Sequence, residues 1–274
     1  MIRLEPALVV ALAAIGGAIA TTANAADLPT LPPAPVPVAV EAFGGWYLRG
    51  DIGMSSQQSD EPENPRLDAA FPPQQLEWIH SGFDSAPFVG IGAGYRFNSW
   101  LRADITGEYR GTSRYNGLDR YFDGGWRTNE FYAEKSEWVG LVNGYLDLGT
   151  WYGVTPFVGA GVGFARVTID GFRDVDVTRP ALTRAGEKST TNFAWALYAG
   201  LGYEVSPNLT LELGYRYLAL GAGETGETTP FNGPSGLTTG WEFENLHLND
   251  LKVGMHLNLQ APAAVYAAPI SRSF

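Results

Sequence analysis

The sequence predicts an all-β protein, an eight-stranded antiparallel up-and-down transmembrane β-barrel. Three observations predict it. Apolar residues alternate with polar residues or glycine over runs of about ten residues, the length of a tilted strand that crosses a bilayer. The connections between those runs alternate long and short along the chain. Aromatic residues collect at both ends of the runs, where a spanning barrel meets its two interfaces.

Residues 88–110 carry the pattern most clearly. Val89, Ile91, Ala93, Tyr95 and Phe97 share one face, and Phe88, Gly90, Gly92, Gly94 and Arg96 share the other. After a turn at Asn98-Ser99, Leu101, Ala103, Ile105, Gly107 and Tyr109 continue the apolar face. Arg102, Asp104, Thr106, Glu108 and Arg110 continue the polar one. In a soluble sheet the apolar face would form the core. Here the opposite face combines glycine with dense alternating charge. The apolar face is therefore assigned to lipid and the charged face to a closed interior.

The other strands follow the same rule. Residues 46–54 place Trp46, Leu48, Ile52 and Met54 outward and Tyr47, Arg49 and Asp51 inward. Further strands are expected at 135–148, 155–168, 191–204, 209–220 and 246–259. Tight turns are expected at 149–154 and around Ser206-Pro207-Asn208, and long loops at 55–82, 111–134, 169–190 and 221–243. An even strand number brings both barrel ends to the periplasmic side, with short turns there and long loops outside. Trp46, Phe97, Trp100, Trp151 and Tyr203 fall at the short-turn end. Tyr109, Trp138, Phe193, Trp195 and Tyr217 fall toward the long loops, so two aromatic girdles are expected.

The ends of the chain read differently. Arg3, an apolar run at 7–20 and the Ala23-Asn24-Ala25 cleavage motif make residues 1–25 an expected signal peptide. That run is too short for a membrane anchor. Residues 26–42 are a Pro-rich periplasmic spacer, residues 43–259 the barrel, and residues 260–274 an Ala/Pro tail. The chain has 274 residues, 34 Gly, 13% aromatic and 17% charged residues. With no Cys, no disulfide or thiolate metal site is available, and no cofactor or metal is expected. A net charge of -11 argues against nucleic acid as a partner, because phosphate contacts need a basic surface.

The candidate site is the inward charge. Arg49, Arg96, Arg102, Arg110, Arg216 and Lys252 balance Asp51, Asp104, Glu108, Asp147, Glu212 and Asp250. The interior of an eight-stranded barrel is just wide enough for side chains to fill, so these charges are expected to pair rather than to line a pore. The runs Gly90-x-Gly92-x-Gly94 and Gly159-x-Gly161-x-Gly163 superficially resemble phosphate loops, but they lie inside strands with no helix after them. Catalysis has little to use among three His. His247 at the outer end of the last strand would lie near Ser55 and Ser56, the one place where a Ser–His pair is conceivable. The outer loops are acidic in sum, and their carboxylates suit divalent cations shared with lipopolysaccharide phosphates.

The stretch ADLPTLPPAPVPV, followed by GGWYLRGDIG, resembles the alphaproteobacterial porin-like outer-membrane surface proteins. Those belong to the OmpA-like and opacity-protein class of eight-stranded barrels. The resemblance spans roughly residues 43–259 and implies an abundant surface protein without defined catalytic residues. This chain departs from the class at its end. The last strand stops near Leu259, and an aromatic residue, Phe274, closes the tail instead. The expected function is an envelope-structural and surface-interaction role in the outer membrane, without catalysis. Its expected partners are outer-membrane lipid and lipopolysaccharide, the outer-membrane assembly machinery, and an external ligand at the loops. The alternatives are a small-solute porin and a lipid-modifying barrel hydrolase.

Overall fold

A computed structural model describes residues 44–65, 69, 75–179, 181–230 and 239–259. The segments expected as signal peptide, spacer and C-terminal tail lie outside the described residues. Eleven strands form one antiparallel sheet, and eight of them close into a ring. The ring runs β1 (Gly45–Gln58), β3 (Ala86–Arg96), β4 (Leu101–Phe122), β5 (Trp126–Asp147), β6 (Val154–Asp176), β8 (Lys188–Ser206), β9 (Leu209–Glu224) and β11 (Glu242–Asn258). Pairing of β6 with β8 and of β1 with β11 closes it. The barrel assignment is correct.

Three short strands lie outside the ring: β2 (Leu76–Phe83), β7 (Ala181–Ala185) and β10 (Thr228–Pro230). β2 pairs with the far half of β4, β7 with the end of β6, and β10 with β7.

The short turns have local causes. At 97–100 the Asn98 side chain accepts the backbone N–H groups of Trp100 and Leu101 at 2.9 and 2.7 Å. At 148–153 the chain reverses through left-handed backbone at Gly149, Tyr152 and Gly153. Within the barrel wall, Gly163 permits close strand contact. A Cβ there would sit 2.0 Å from the Gly140 carbonyl oxygen.

The face assignments of the spanning segments hold. Ile52, Ile91, Ile105, Val142, Leu213 and Val253 are exposed along the outside, while Arg49, Asp104, Glu108 and Arg216 are buried. No helix among the described residues is long and apolar enough to cross a membrane, which does not bear on spanning strands.

The long loops are the main correction. Residues 111–134 are not a loop: β4 and β5 are each 22 residues long and meet in a hairpin at 123–125. The expected loop 55–82 contains the end of β1 and most of β2, and 169–190 contains the end of β6 and β7. The expected loop 221–243 contains the end of β9 and all of β10. The barrel thus continues past its outer girdle into a β-structured crown, with about 35 Å of strand in β4 beyond Gly111.

The physical reason is a change of pattern. In the crown most of the buried side chains are apolar, the reverse of the spanning region. Tyr115, Phe131, Ile169, Phe172, Trp241 and Phe243 form an aromatic-rich core there. β-Bulges also shift the phase. On β4 inward residues are even-numbered up to Arg110 and odd-numbered from Ser113, across a register shift. Similar shifts occur on β6 near Gly171 (φ +63) and on β11 near Asn245 (φ 49). A rule of period two held in one phase stops at each of these points.

Candidate functional site

The interior has two unlike walls. β1, β4, β9 and β11 supply charge, and β5, β6 and β8 supply mostly apolar and aromatic groups such as Val139, Leu141, Phe157, Val167, Ala196 and Tyr198. Alternation places each of these side chains inward, and the ring then brings the walls into contact.

Toward the short-turn end, Arg49 is the hub. Its Nε and Nη2 donate to Asp51 at 2.8 and 2.9 Å, and its Nη1 donates to Asp104 at 2.5 Å and to the Tyr145 hydroxyl at 2.9 Å. Asp104 also accepts from Tyr47 at 3.0 Å and from Asn143 at 2.8 Å. Below it Arg102 bridges Glu212 at 2.7 Å and Asp147 at 3.1 Å. His256 reaches Glu212 at 3.2 Å and stacks on Tyr47 at 4.9 Å. Lys252 joins this group to Asp51 at 3.3 Å.

Toward the crown, Arg216 takes Glu108 in a two-pronged contact, Nη1 to Oε1 at 2.6 Å and Nη2 to Oε2 at 2.7 Å. It also reaches Asp250 at 2.6 Å. Arg110 pairs with the same two carboxylates, with Glu108 at 3.3 Å and with Asp250 in a closer contact. Above them Lys135 contacts Glu137 at 2.5 Å, and both are fully buried. Guanidinium groups also lie over rings: Arg102 over Tyr145 at 4.5 Å, and Arg110 over Phe88 at 4.5 Å.

Eleven of the twelve sequence-derived charges therefore meet in two connected clusters. Arg96 does not. It lies half-buried at the short-turn mouth, forms no ion pair among the described residues, and keeps a buried Nε without a hydrogen-bond partner. It lines a cavity of about 70 Å³ with Arg102, Asp147, Phe157, Glu204 and Glu212. The twelve charges picked from the sequence leave out Tyr145, Asn143, Lys135 and Glu137. Inward parity on β5 was the available signal, but it does not reveal which polar group a charge will choose.

The aromatic residues named for the girdles lie on the outer surface. Trp46, Phe97, Trp100, Trp151 and Tyr203 are exposed at the short-turn end, and Tyr109, Trp138, Phe193 and Trp195 at the crown side. Tyr217 is half-buried against Trp195, 5.4 Å between ring centroids. Among the described residues, no group of three or more His, Cys, Asp or Glu is placed to hold a metal.

No Ser–His pair forms at His247. Its Nδ1 lies 2.8 Å from the Asn245 carbonyl and its Nε2 2.8 Å from the Gln58 side-chain oxygen. Ser55 and Ser56 pair in register with Asp250 and Asn249 instead.

In the crown, Asp119, Asp174 and Asp176 point inward on β4 and β6 above the aromatic core. The β4–β5 tip carries Phe122 and Trp126 in an edge-on contact at 5.6 Å, with the Arg120 guanidinium 4.8 Å from the Trp126 ring. Trp126 is 55% exposed, well beyond the outer girdle.

Most of the chain is similar to known proteins. The outer membrane protein β-barrel domain family matches residues 10–256. An uncharacterized protein of Brucella abortus is 33% identical over 232 residues, covering 74% of this chain and 78% of its own length. An adhesin candidate of Rickettsia prowazekii is 26% identical over 224 residues, covering 78% of this chain and 87% of its own. Among solved structures, Neisserial surface protein A aligns with a TM-score of 0.42 at 19% identity, covering 78% of this chain and 97% of that one.

Proposed function

We propose a surface-contact role without catalysis for this chain, which belongs to the outer membrane protein β-barrel family and resides in the outer membrane. The spanning half is a closed, non-conducting scaffold, and the crown is the working surface. One observation carries the reading: above the small cavity at the short-turn mouth the interior is filled, by ion pairs and then by an aromatic core. Such filling suits a rigid stalk, whereas a porin needs a continuous wet path. Short turns are periplasmic in such barrels, so the crown faces outward. It presents the exposed Phe122–Trp126 tip where lipid cannot cover it. The adhesin-like relative is consistent with contact to an external ligand there.

Further partners follow from the same surface: lipid and lipopolysaccharide around the girdles, and the outer-membrane assembly machinery during insertion. The non-enzymatic reading draws support from the surroundings of His247, an amide oxygen and a backbone carbonyl rather than a nucleophile and a carboxylate. The test is a chain in which residues 113–135 are replaced by a tight turn, displayed on cells that otherwise do not attach to a host-cell layer. The shortened barrel should still insert and should lose attachment. Attachment equal to that of the full chain would refute the crown as the contact surface.

A further inference from the structure

The crown turns carboxyl groups inward without a paired cation for each: Asp119 is buried and Asp174 is half-buried. Asp119 on β4 lies opposite Asn129 on β5, which lies opposite Asp176 on β6. Asp174, one step along the same face of β6, lies opposite Phe131. Asp119 is fully buried. One of its oxygens accepts the Asn129 backbone N–H at 3.1 Å, and the other has no hydrogen-bond partner.

Three neighbouring cations, Arg179, Arg127 and Arg120, are engaged elsewhere. Arg179 donates to Asp176 at 3.2 Å and to Asp123 at 3.1 Å. Arg127 pairs with Asp123 at 3.3 Å, and Arg120 pairs with Glu77 of β2 on the outside. Arg173 and Arg184 oppose each other across β6 and β7, on the face away from Asp174. The residue of β2 opposite Asp119 is Trp78, and that of β7 opposite Asp174 is Thr183. β11 begins at its crown end with an acidic residue, Glu242. Among the described residues no ion pair reaches Asp119 or Asp174.

We propose that Asp119 and Asp174 form a proton-dependent latch. Protonated, they let β4, β5 and β6 close over the aromatic core of the crown; ionised, they drive those strands toward opening. Burial, reinforced by the facing carboxylates, pushes both groups up to about 7 from an ordinary 3.8. Asp176, only partly buried, is held low by hydrogen bonds from Thr178 and Arg179.

The sign follows by linkage. Between about pH 4 and 7 the closed crown holds protons that an opened crown releases, so closure weakens as pH rises and levels off above about 7. The crown is tight in acid and looser at neutral pH, whatever it contacts.

The test uses the full chain refolded into lipid vesicles. Amide hydrogen exchange is followed in the β4–β5 tip and the end of β6 at about pH 5.5 and about pH 8, corrected for intrinsic exchange. One unit of pKa difference is tenfold in an equilibrium, so opening should be about tenfold or more greater at the higher pH. Asp119→Asn and Asp174→Asn should flatten that dependence. Equal corrected exchange at the two pH values in the natural sequence would overturn the latch. As a check independent of variant folding, carboxyl carbon NMR of Asp-labelled protein should show two groups titrating near neutrality. Titration of every Asp below about pH 5 would overturn it as well.

Discussion

The Glu108–Arg216 pair gives the most demanding test of how the interior is held. Glu108, Arg110, Arg216 and Asp250 form a quartet of two cations and two anions, with side chains 3% exposed or less. Replacing Glu108 with Gln keeps the volume but leaves two guanidinium groups sharing Asp250, with Glu137, already paired with Lys135, 3.9 Å from Arg110. Removing one partner of a buried pair costs about 3–5 kcal/mol, mostly through the uncompensated charge left behind. Asp250 still serves both cations, so the lower end, about 3 kcal/mol, is expected for Glu108→Gln. Arg216→Met should cost a similar amount by leaving Glu108 and Asp250 with Arg110 alone. The double variant leaves Arg110 facing Asp250, one charge against one. It should recover most of the loss, with a coupling of about 2 kcal/mol or more. The assay is urea-dependent folding into lipid vesicles for the four members of the cycle. Additive losses, or single losses near zero, would refute a charge-balanced interior.

Other consequences can be checked separately. Ile105 is 65% exposed on the lipid face, so Ile105→Arg should cost about 2–4 kcal/mol in the same assay, while Ile105→Ala should be much milder. Gly163→Ala would press a methyl group into the Gly140 carbonyl, so it should slow or block folding where Gly144→Ala, with open space around it, does not. The intact barrel should migrate faster on a gel when unheated, and identical mobility before and after heating would count against closure. Mass spectrometry of the exported protein should find Ala26 at its N-terminus; a chain beginning at Met1 would reject the signal assignment at 1–25.

The spanning region was legible because lipid imposes one rule on every strand. Outward residues must be apolar, so Val89, Ile91 and Ile105 on one face imply Asp104 and Glu108 on the other. The crown instead centres on a buried aromatic-rich core, and it changes phase at bulges near residues 111–112, 171 and 245. A chain read for lipid-facing strands therefore loses β4 after Arg110, although Tyr115, Asp119 and Tyr121 still alternate. Charge balance was also legible, but partner choice was not. Asp104 is held by Arg49 from β1, not by Arg102 or Arg96, because ring closure and strand tilt decide which inward side chains face each other. Arg96 shows the limit: parity points it inward, yet it forms no ion pair among the described residues.

A barrel that is a filled stalk carrying a crown should not conduct ions. Single-channel recording of the refolded protein in a planar bilayer, in molar KCl, puts this to the test. A silent membrane after confirmed insertion is expected. Steady, discrete open events that persist with homogeneous folded protein would contradict it.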